Sequence, residues 1–248
     1  MTATKRPPRQ RLDVLLVERG LAPTRERARA LILARDVLVD GAPAARPAEA
    51  IRADAELSLR ATSPYVSRGG EKLAHALDRS GIDPRGLRCL DVGASTGGFT
   101  DCLLQRGAAS VVAVDVGYGQ LASRLRDDPR VEVRERINAR SMPPLEPPAD
   151  LATIDVSFIS LTAVLPAVVE SLRVGGRVVA LVKPQFEAGR DEVARGGVVR
   201  DPLVHASCVA RVAAWAVQHG LRVRGVVRSP LLGPAGNQEF FLLLERIG

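Results

Sequence analysis

The sequence lacks two features that define large classes of protein. It contains no run of about 18 consecutive apolar residues, which is the length that a membrane-spanning helix needs. It has three cysteines, Cys89, Cys102 and Cys208, and their spacing is not that of a metal site. These absences exclude a membrane protein and a disulfide-stapled secreted module. They predict a protein of a reducing compartment, the cytoplasm, with no bound metal.

Lysine is also scarce. Only three of the 35 basic residues are lysines, namely Lys5, Lys72 and Lys183. Arginine stays protonated in proteins, whereas a desolvated lysine can lose its proton. Because nearly every positive charge of this chain is an arginine, a lysine inside a glycine-rich or apolar segment is a candidate for a chemical role.

The composition is that of a globular protein with an uneven charge. The 248 residues are 46% hydrophobic and 25% charged, which suits one α/β domain with a small companion. Residues 1–35 contain nine basic and three acidic side chains, so they carry +6 of the net charge of +7. A positive field at one end predicts binding of a polyanion, with nucleic acid as the first choice. A solvated helix face is the alternative.

Residues 11–61 have the pattern of a small α+β domain, behind a basic flexible extension over 1–10. Apolar spacing predicts helices over 11–19 and 25–34, and short strands follow at 36–39 and 57–60. The string TRERA…LI…VLVDG resembles the S-four-type RNA-binding module. Such modules press a basic helical face against folded RNA. The arginines expected to contact RNA here are Arg6, Arg9, Arg11, Arg25 and Arg29, and Arg68 and Arg136 are candidates further along the chain.

After a linker predicted at 62–67, the chain alternates strands and helices from residue 68 to residue 248. This alternation predicts a doubly wound, mostly parallel, seven-stranded sheet. The expected strands are 88–92, 110–115, 131–134, 151–155, 177–183, 221–227 and 239–244, and the clearest helices are 98–105 and 203–219.

A glycine-rich loop between the first of these strands and its helix predicts a cofactor site. Glycines let the backbone turn tightly and bring its amide groups close to a ligand. The spacing is neither that of a dinucleotide fingerprint nor that of a triphosphate loop. An acid before the loop can meet an amino group, and an acid ending the next strand can accept bonds from ribose hydroxyls. Together these features suit S-adenosylmethionine, with a purely structural turn or an NAD site as the alternative. The candidate residues are Asp91, Gly93, Ala94, Ser95, Gly97, Gly98, Asp115 and Asp155.

Two lysines and two acids form the candidate catalytic group. Asp155 and Lys183 end neighbouring predicted strands, where ligands bind in an open parallel sheet. Lys72 begins a helix before the first strand, and Glu239 enters the last strand. Such a group can activate a hydroxyl, because a second lysine and partial desolvation favour the neutral form of Lys183.

From residue 65 onward the motifs YVSRGGEKL, CLDVGASTGGFTD, VDVGYGQL, DVSFISL, LVKPQFEAGR and GPAGNQEFFL occur in an order that resembles the TlyA (haemolysin A) family of rRNA 2′-O-methyltransferases. The resemblance implies a Rossmann-like class I methyltransferase domain of the FtsJ-like kind. It implies a catalytic tetrad, here Lys72, Asp155, Lys183 and Glu239. It also implies that the chain uses S-adenosylmethionine to methylate cytidine ribose in the RNA of ribosomal subunits. We expect the chain to act as a monomer.

Three other functions compete with this hypothesis. A non-catalytic RNA-binding or ribosome-assembly factor explains the basic end but not the intact cofactor loop. A pore-forming haemolysin requires a membrane-inserting segment, which the sequence lacks. Base-nitrogen methyltransferases carry an Asn/Asp-Pro-Pro-aromatic motif where this chain has Asp155-Val-Ser-Phe. The target nucleotide and the choice of ribosomal subunit stay open.

Overall fold

The structure is a computed structural model that describes residues 8–44, 46–59, 63–194 and 196–248. Backbone contacts divide the chain into two compact units, Met1–Ser63 and Pro64–Gly248. Each unit has its own hydrophobic core, so each is described by itself.

The N-terminal unit combines two short helices with two small antiparallel sheets. Its elements are β1 (Arg9–Arg11), α1 (Leu12–Glu18), α2 (Arg25–Leu33), β2 (Val37–Val39), β3 (Ala42–Pro43), β4 (Ala50–Arg52) and β5 (Leu57–Leu59). Strand β1 pairs with β4, and β2 lies between β3 and β5. Residues of both helices and of the strands share one core, centred on Leu12, Leu16, Ile32 and Val37. The predicted α+β character of this unit is confirmed.

Helix α2 shows how local sequence determines where a helix begins. Thr24 has an extended backbone, and its hydroxyl accepts a hydrogen bond from the backbone N–H of Arg27 at 3.2 Å. This bond satisfies one of the amides that the first turn of a helix leaves without a partner. Ala28 and Ile32, four residues apart, both face the core. The capping pattern and the apolar spacing therefore gave the correct start for this helix.

The expected flexible extension over residues 1–10 was wrong for Arg9 and Gln10. Both belong to β1, where they pair with Arg52 and Ile51 of β4. Neither is a strong strand former, so a partner much later in the chain determines their conformation. Local sequence does not reveal that partner. Arg6 lies outside the described residues.

The second unit is built on a seven-stranded sheet. Its strands are β6 (Arg88–Val92), β7 (Ser110–Asp115), β8 (Val131–Glu135), β9 (Ala149–Ile154), β10 (Leu172–Val182), β11 (Leu221–Arg228) and β12 (Phe240–Arg246). Their order in the sheet is β11-β12-β10-β9-β6-β7-β8. Only β12, among these strands, runs antiparallel to its neighbours. The prediction of a mostly parallel, seven-stranded sheet is confirmed.

Helices cover both faces of this sheet. They are α3 (Arg68–Ser80), α4 (Gly98–Gln105), α5 (Ser123–Arg126), α6 (Leu165–Glu170), α7 (Pro184–Glu187) and α8 (Pro202–Gln218). Side chains alternate across each strand, so Val178 of β10 faces the core beneath α6 and α8, whereas Val179 faces the core beneath α3 and α4.

Strand β10 begins at Leu172, five residues before the predicted start at Arg177. Its pairing with β9 shifts register between these two residues. Gly175, at φ +76°, and Gly176 lie in this irregular stretch. Two consecutive glycines indicate a turn in local sequence, and only the pairing with β9 extends the strand through them.

The order of the strands determines where a ligand can bind. From β6 the chain runs outward through β7 and β8, and it then returns to the other side of β6 to form β9. In open α/β sheets, ligands bind beyond the carboxyl ends of the strands at such a reversal. The register pairs Val92 of β6 with Ile154 of β9, so Gly93 and Asp155 both follow at that point.

Candidate active site

The glycine loop between β6 and α4 is packed directly against the end of β9. Gly93, at φ +84°, is so close to the next strand that a Cβ atom there would lie 2.4 Å from the carbonyl oxygen of Asp155. Gly97 has φ +97°, a left-handed conformation that favours glycine. The loop is therefore a tight backbone cradle at the crevice, and α4 begins immediately after it.

Asp115, the predicted ribose-binding acid, ends β7, the strand that pairs directly with β6. One oxygen of its carboxylate accepts a hydrogen bond from the backbone N–H of Ser95 at 2.8 Å, and the other accepts from that of Gly117 at 2.7 Å. The acid thus ties the glycine loop to the end of β7. Its contact with ribose stays a prediction.

Asp91, predicted to meet an amino group, is fully buried beneath the loop. Its carboxylate accepts hydrogen bonds from the hydroxyl groups of Thr100, at 2.7 Å, and Thr153, at 3.0 Å. Burial raises the pKa of Asp91 to about 6, although both hydroxyls work in the opposite direction. In this arrangement the side chain supports the loop from below, and its contact with a ligand stays a prediction.

Lys183 and Asp155 form an ion pair at the edge of the sheet. The Nζ atom of Lys183 lies 2.6 Å from Oδ1 of Asp155 and donates a hydrogen bond to the hydroxyl of Ser157 at 2.9 Å. The side chain of Lys183 is 12% exposed and that of Asp155 is 25% exposed. The pair is therefore accessible from the crevice, as the sequence predicts. The sequence hypothesis did not include Ser157 as a second partner of Lys183.

Lys72 and Glu239 form the other pair, with 2.6 Å between Nζ and Oε2. Here the lysine side chain is 9% exposed and the glutamate is fully buried. Gly233 lies against Glu239, because a Cβ atom at residue 233 would be 2.5 Å from Oε1. In this arrangement Glu239 contacts Lys72, so its effect on the site passes through that lysine.

The sheet brings both pairs to the same edge. Val182 pairs with Phe240 across β10 and β12, so Lys183 and Glu239 are the next residues on adjacent strands. Ala180 of β10 pairs with Ile154 of β9, which puts Asp155 close by. Four residues that are far apart in sequence thus lie at one edge of the sheet, the edge that the sequence predicts from the positions of the strand ends.

An exposed aromatic side chain lies beside the accessible pair. Phe158 is 88% exposed and has φ +63°, a conformation that residues with side chains rarely adopt. Its ring centroid is 4.9 Å from that of Phe186, and Lys183 Nζ is 6.0 Å from the Phe186 ring. An aromatic ring presented to solvent at the edge of a crevice can stack on a nucleobase.

The arginines predicted to bind RNA have different surroundings. Arg9 and Arg29 are exposed. Arg11 and Arg25 each form an ion pair with Oδ2 of Asp13, at 2.9 and 3.1 Å. Asp13 is fully buried in α1, and its bond to Arg11 holds its pKa well below the usual range.

The two remaining candidates are in the second unit. Arg68 donates a hydrogen bond to the carbonyl oxygen of Leu232 at 3.1 Å. The guanidinium group of Arg136 lies 4.3 Å from the ring centroid of Tyr118, near the cofactor loop. Neither contact shows whether these two arginines bind RNA. RNA binding therefore stays a prediction for all seven arginines.

Part of the predicted linker is fixed to helix α4. The backbone N–H of Val66 donates a hydrogen bond to the Asp101 carboxylate at 2.7 Å. Gln105 also donates to the carbonyl oxygen of Pro64 at 2.9 Å. Since α4 follows the glycine loop, the first residues of the second unit are attached to the same helix as the cofactor cradle.

Other features of the described residues do not compete with this site. A cavity of about 540 Å³ opens at the opposite end of the sheet, beside Arg79, Arg177 and Arg224, and contains none of the predicted site residues. Within the described ranges, no cluster of histidine, cysteine or acidic side chains could hold a metal ion. No described helix has the length and apolarity to span a membrane.

A glycine cradle at the reversal of a doubly wound sheet, with an accessible lysine–aspartate pair beside it, defines a methyltransferase of the Rossmann-like class. The FtsJ-like methyltransferase model matches residues 65–246, and the chain belongs to that family. An S4 domain model matches residues 10–57, from β1 to the first residue of β5 in the N-terminal unit.

Named relatives agree with this assignment. The chain is 52% identical over 241 residues to the 16S/23S rRNA (cytidine-2′-O)-methyltransferase TlyA of Mycobacterium tuberculosis, covering 96% of this chain and 90% of the relative. It is 48% identical to YqxC of Bacillus subtilis, described as an rRNA methyltransferase, over 96% of this chain and 86% of that protein. A solved structure from Streptococcus thermophilus, described as a hemolysin, has a TM-score of 0.77 and 45% identity, and covers 97% of this chain and 89% of its own.

Proposed function

We propose that this protein transfers a methyl group from S-adenosylmethionine to the 2′-oxygen of a cytidine ribose in ribosomal RNA. The observation that carries the proposal is the Lys183–Asp155 pair, which is accessible and lies beside the glycine cradle. The relatives named for rRNA (cytidine-2′-O)-methylation support the substrate. The chain is accordingly an rRNA methyltransferase that acts on ribosomal subunits.

The residues at the crevice fit the cofactor. The cradle at Gly93 leaves no space for a side chain, and backbone amides at the start of α4 suit a carboxylate. Asp91 lies beneath the loop and Asp115 beside it, where acids can serve an amino group and ribose hydroxyls. When bound, S-adenosylmethionine supplies an already activated methyl group. The protein's contribution is then largely alignment of the acceptor.

Lys183 is the residue that acts on the ribose hydroxyl. It either acts as the neutral amine, after releasing its own proton to solvent, and takes the proton of the 2′-hydroxyl group as the new bond to oxygen forms, or it remains the ammonium and stabilises the developing alkoxide. Asp155 orients Lys183 through the 2.6 Å contact. Lys72 positions the ribose, and the sealed Glu239 holds Lys72 in place.

The N-terminal unit docks the RNA. Its exposed arginines suit contacts with phosphates, which position a protein on RNA without reading its sequence. The target nucleotide must leave its helix to reach the crevice, and the exposed ring of Phe158 offers a surface for the extruded base. The enzyme works as a cytoplasmic monomer in this proposal.

The decisive experiment combines purified protein, S-adenosylmethionine labelled with tritium in its methyl group, and separated, unmodified 30S and 50S ribosomal subunits. We expect label in RNA linkages that resist alkali, since a 2′-O-methyl group blocks hydrolysis. The labelled subunit identifies the substrate. Label in alkali-sensitive RNA would move the chemistry to a base. No label, with cofactor binding intact, would favour a non-catalytic assembly factor.

A further inference from the structure

The segment after β9 carries the partners of Lys183. It runs from Asp155 to Leu161, where a short 3₁₀ helix begins. Within it, Asp155 and Ser157 both contact Lys183 Nζ, and Phe158 adopts its positive φ. This loop positions two partners of Lys183 and contains a residue with an unfavourable φ. It therefore requires further interactions that hold its conformation.

Glu187 holds the far end of this loop. One oxygen of its carboxylate accepts a hydrogen bond from the backbone N–H of Leu161 at 2.7 Å, and the other accepts from the hydroxyl of Ser160 at 2.7 Å. Glu187 is 7% exposed, and burial raises its pKa. Among the described residues its carboxylate forms no ion pair; Arg211 donates instead to its backbone carbonyl. A buried carboxylate is costly unless its hydrogen bonds and nearby charges offset the desolvation, and here the Arg211 guanidinium also works to lower the pKa of Glu187.

The position of Glu187 in the chain links it to the lysine. Helix α7 begins directly after Lys183 and ends at Glu187, so one helical turn separates the two residues. Glu187 therefore connects the turn that follows β10 to the loop that follows β9. The spacing between these two strand ends is what determines whether Asp155 and Ser157 meet Lys183.

We propose that Glu187 is a positioning residue for methyl transfer, which holds the Asp155–Leu161 loop so that Lys183 keeps both of its partners. This proposal rests on the proposed function, because it assigns Lys183 to the reaction. Glu187 itself does not touch the substrate. Its carboxylate acts through Ser160 and Leu161 on the position of Ser157 and Phe158.

Two variants of Glu187 and one matched control test the proposal. E187A removes both hydrogen bonds. E187Q keeps an acceptor for the Leu161 N–H and can donate to the Ser160 hydroxyl. The control is D150A, at the opposite end of β9: Asp150 also accepts from a backbone N–H, that of Arg88 at 2.9 Å, but its second contact is an ion pair with Arg173 at 2.6 Å.

The kinetic readout uses wild-type protein and variants with ribosomal subunits and S-adenosylmethionine. For E187A we expect kcat to fall about 100-fold, the loss that follows when catalytic groups are displaced by about 1 Å. We expect the cofactor Kd and the KM for subunits to stay within about threefold, because the glycine loop is untouched. E187Q should recover most of kcat with an unchanged pH profile. D150A should lower Tm but leave kcat near that of the wild type.

Hydrogen exchange of the Leu161 amide tests the contact without any activity measurement. Its protection should be lost in E187A, retained in E187Q and unaffected in D150A. If E187A does not fold, S160A removes one of the two bonds and should lower kcat by a smaller factor.

Several outcomes would overturn the proposal. Full kcat in E187A, or an equal loss in E187A and D150A, would leave Glu187 with no special role in positioning. An E187Q variant with low but measurable kcat, whose pH profile lacks one limb of the wild-type profile, would make Glu187 a proton carrier. If wild-type protein methylates neither subunit, the proposed function fails, whereas the exchange measurement still decides whether Glu187 fixes the loop.

Discussion

The two lysine–carboxylate pairs of the active site use the same chemistry in different surroundings. Both join Nζ to a carboxylate oxygen at 2.6 Å. The two lysine side chains are similarly buried, 9% exposed for Lys72 and 12% for Lys183, but Glu239 is fully buried whereas Asp155 is 25% exposed. A charge that stays near solvent can exchange protons and meet a substrate, but a sealed pair mainly fixes the geometry around it. The exposure of the carboxylate therefore distinguishes the reacting pair from the supporting pair.

The largest effect is expected at the reacting pair. K183R keeps the positive charge but removes the amine that can lose a proton. If Lys183 is the general base, kcat should fall about 1,000-fold. Cofactor affinity, measured by calorimetry, should stay the same because the glycine loop is intact. Full turnover by this variant would rule out proton transfer through residue 183 and leave only a role for its charge.

The supporting pair should respond mainly in stability. E239Q leaves the charge of Lys72 buried without its partner, which should lower the free energy of unfolding by about 3 kcal/mol. Urea unfolding with an unchanged m-value measures this loss. The control is E245Q on the same strand, where Glu245 pairs with Arg224 at the surface and the loss should be below about 1 kcal/mol. Equal losses in the two variants would contradict the distinction between sealed and exposed pairs.

Asp91 extends the comparison of the two pairs, because its buried carboxylate accepts hydrogen bonds from Thr100 and Thr153 rather than from a lysine. Its pKa of about 6 lies above the ordinary value of 3.8, so between about pH 4 and pH 6 the folded state keeps a proton that the unfolded state has released. Stability from this group is therefore present at low pH and is lost as pH rises. D91N should raise the free energy of unfolding at pH 7.5 on the order of 2 kcal/mol.

This gain of D91N over the wild type should disappear below about pH 4, where Asp91 is protonated in both states. Thermal unfolding across that range measures it. The same variant should weaken cofactor binding if Asp91 meets the amino group. A pH-independent gain would indicate packing rather than ionisation as its cause.

The smallest effect is expected at the exposed side of the reacting pair. F158A removes the ring beside Lys183, and the KM for ribosomal subunits should rise about tenfold, because stacking on one base contributes about 1–3 kcal/mol. Cofactor affinity should not change. F158Y keeps an aromatic surface and serves as the control. An F158A variant with the KM of the wild type would exclude stacking at this position.

The positions of the strand ends and the rarity of lysine made much of the active site predictable from the sequence. A parallel sheet brings the carboxyl ends of its strands to one edge, so the placement of Asp155 and Lys183 followed once the strands were assigned. The rarity of lysine singled out Lys72 and Lys183 before any fold was known. The cofactor loop was recognisable because its glycines occupy a strand–helix turn.

Contacts between residues that are distant in sequence were not predictable in this way. Asp13 interrupts an apolar run and has the appearance of a surface acid, yet it is buried and binds Arg11 and Arg25. The resemblance to the S-four-type module predicts that both arginines contact RNA. Glu187 had no role in the sequence hypothesis, because its partners in the loop after β9 are 26 and 27 residues away. A local pattern carries no information about such partners.

The Lys72–Glu239 contact also constrains how the enzyme reaches its native state. It joins residues 167 positions apart, and the strand after Glu239 inserts between β10 and β11. Closing so long a segment has a large entropic cost, which only extensive long-range pairing can offset. We therefore expect catalytic competence to emerge as a late, all-or-none event in refolding. Recovery of methyl transfer would then report completion of the whole sheet, rather than formation of the cofactor loop alone.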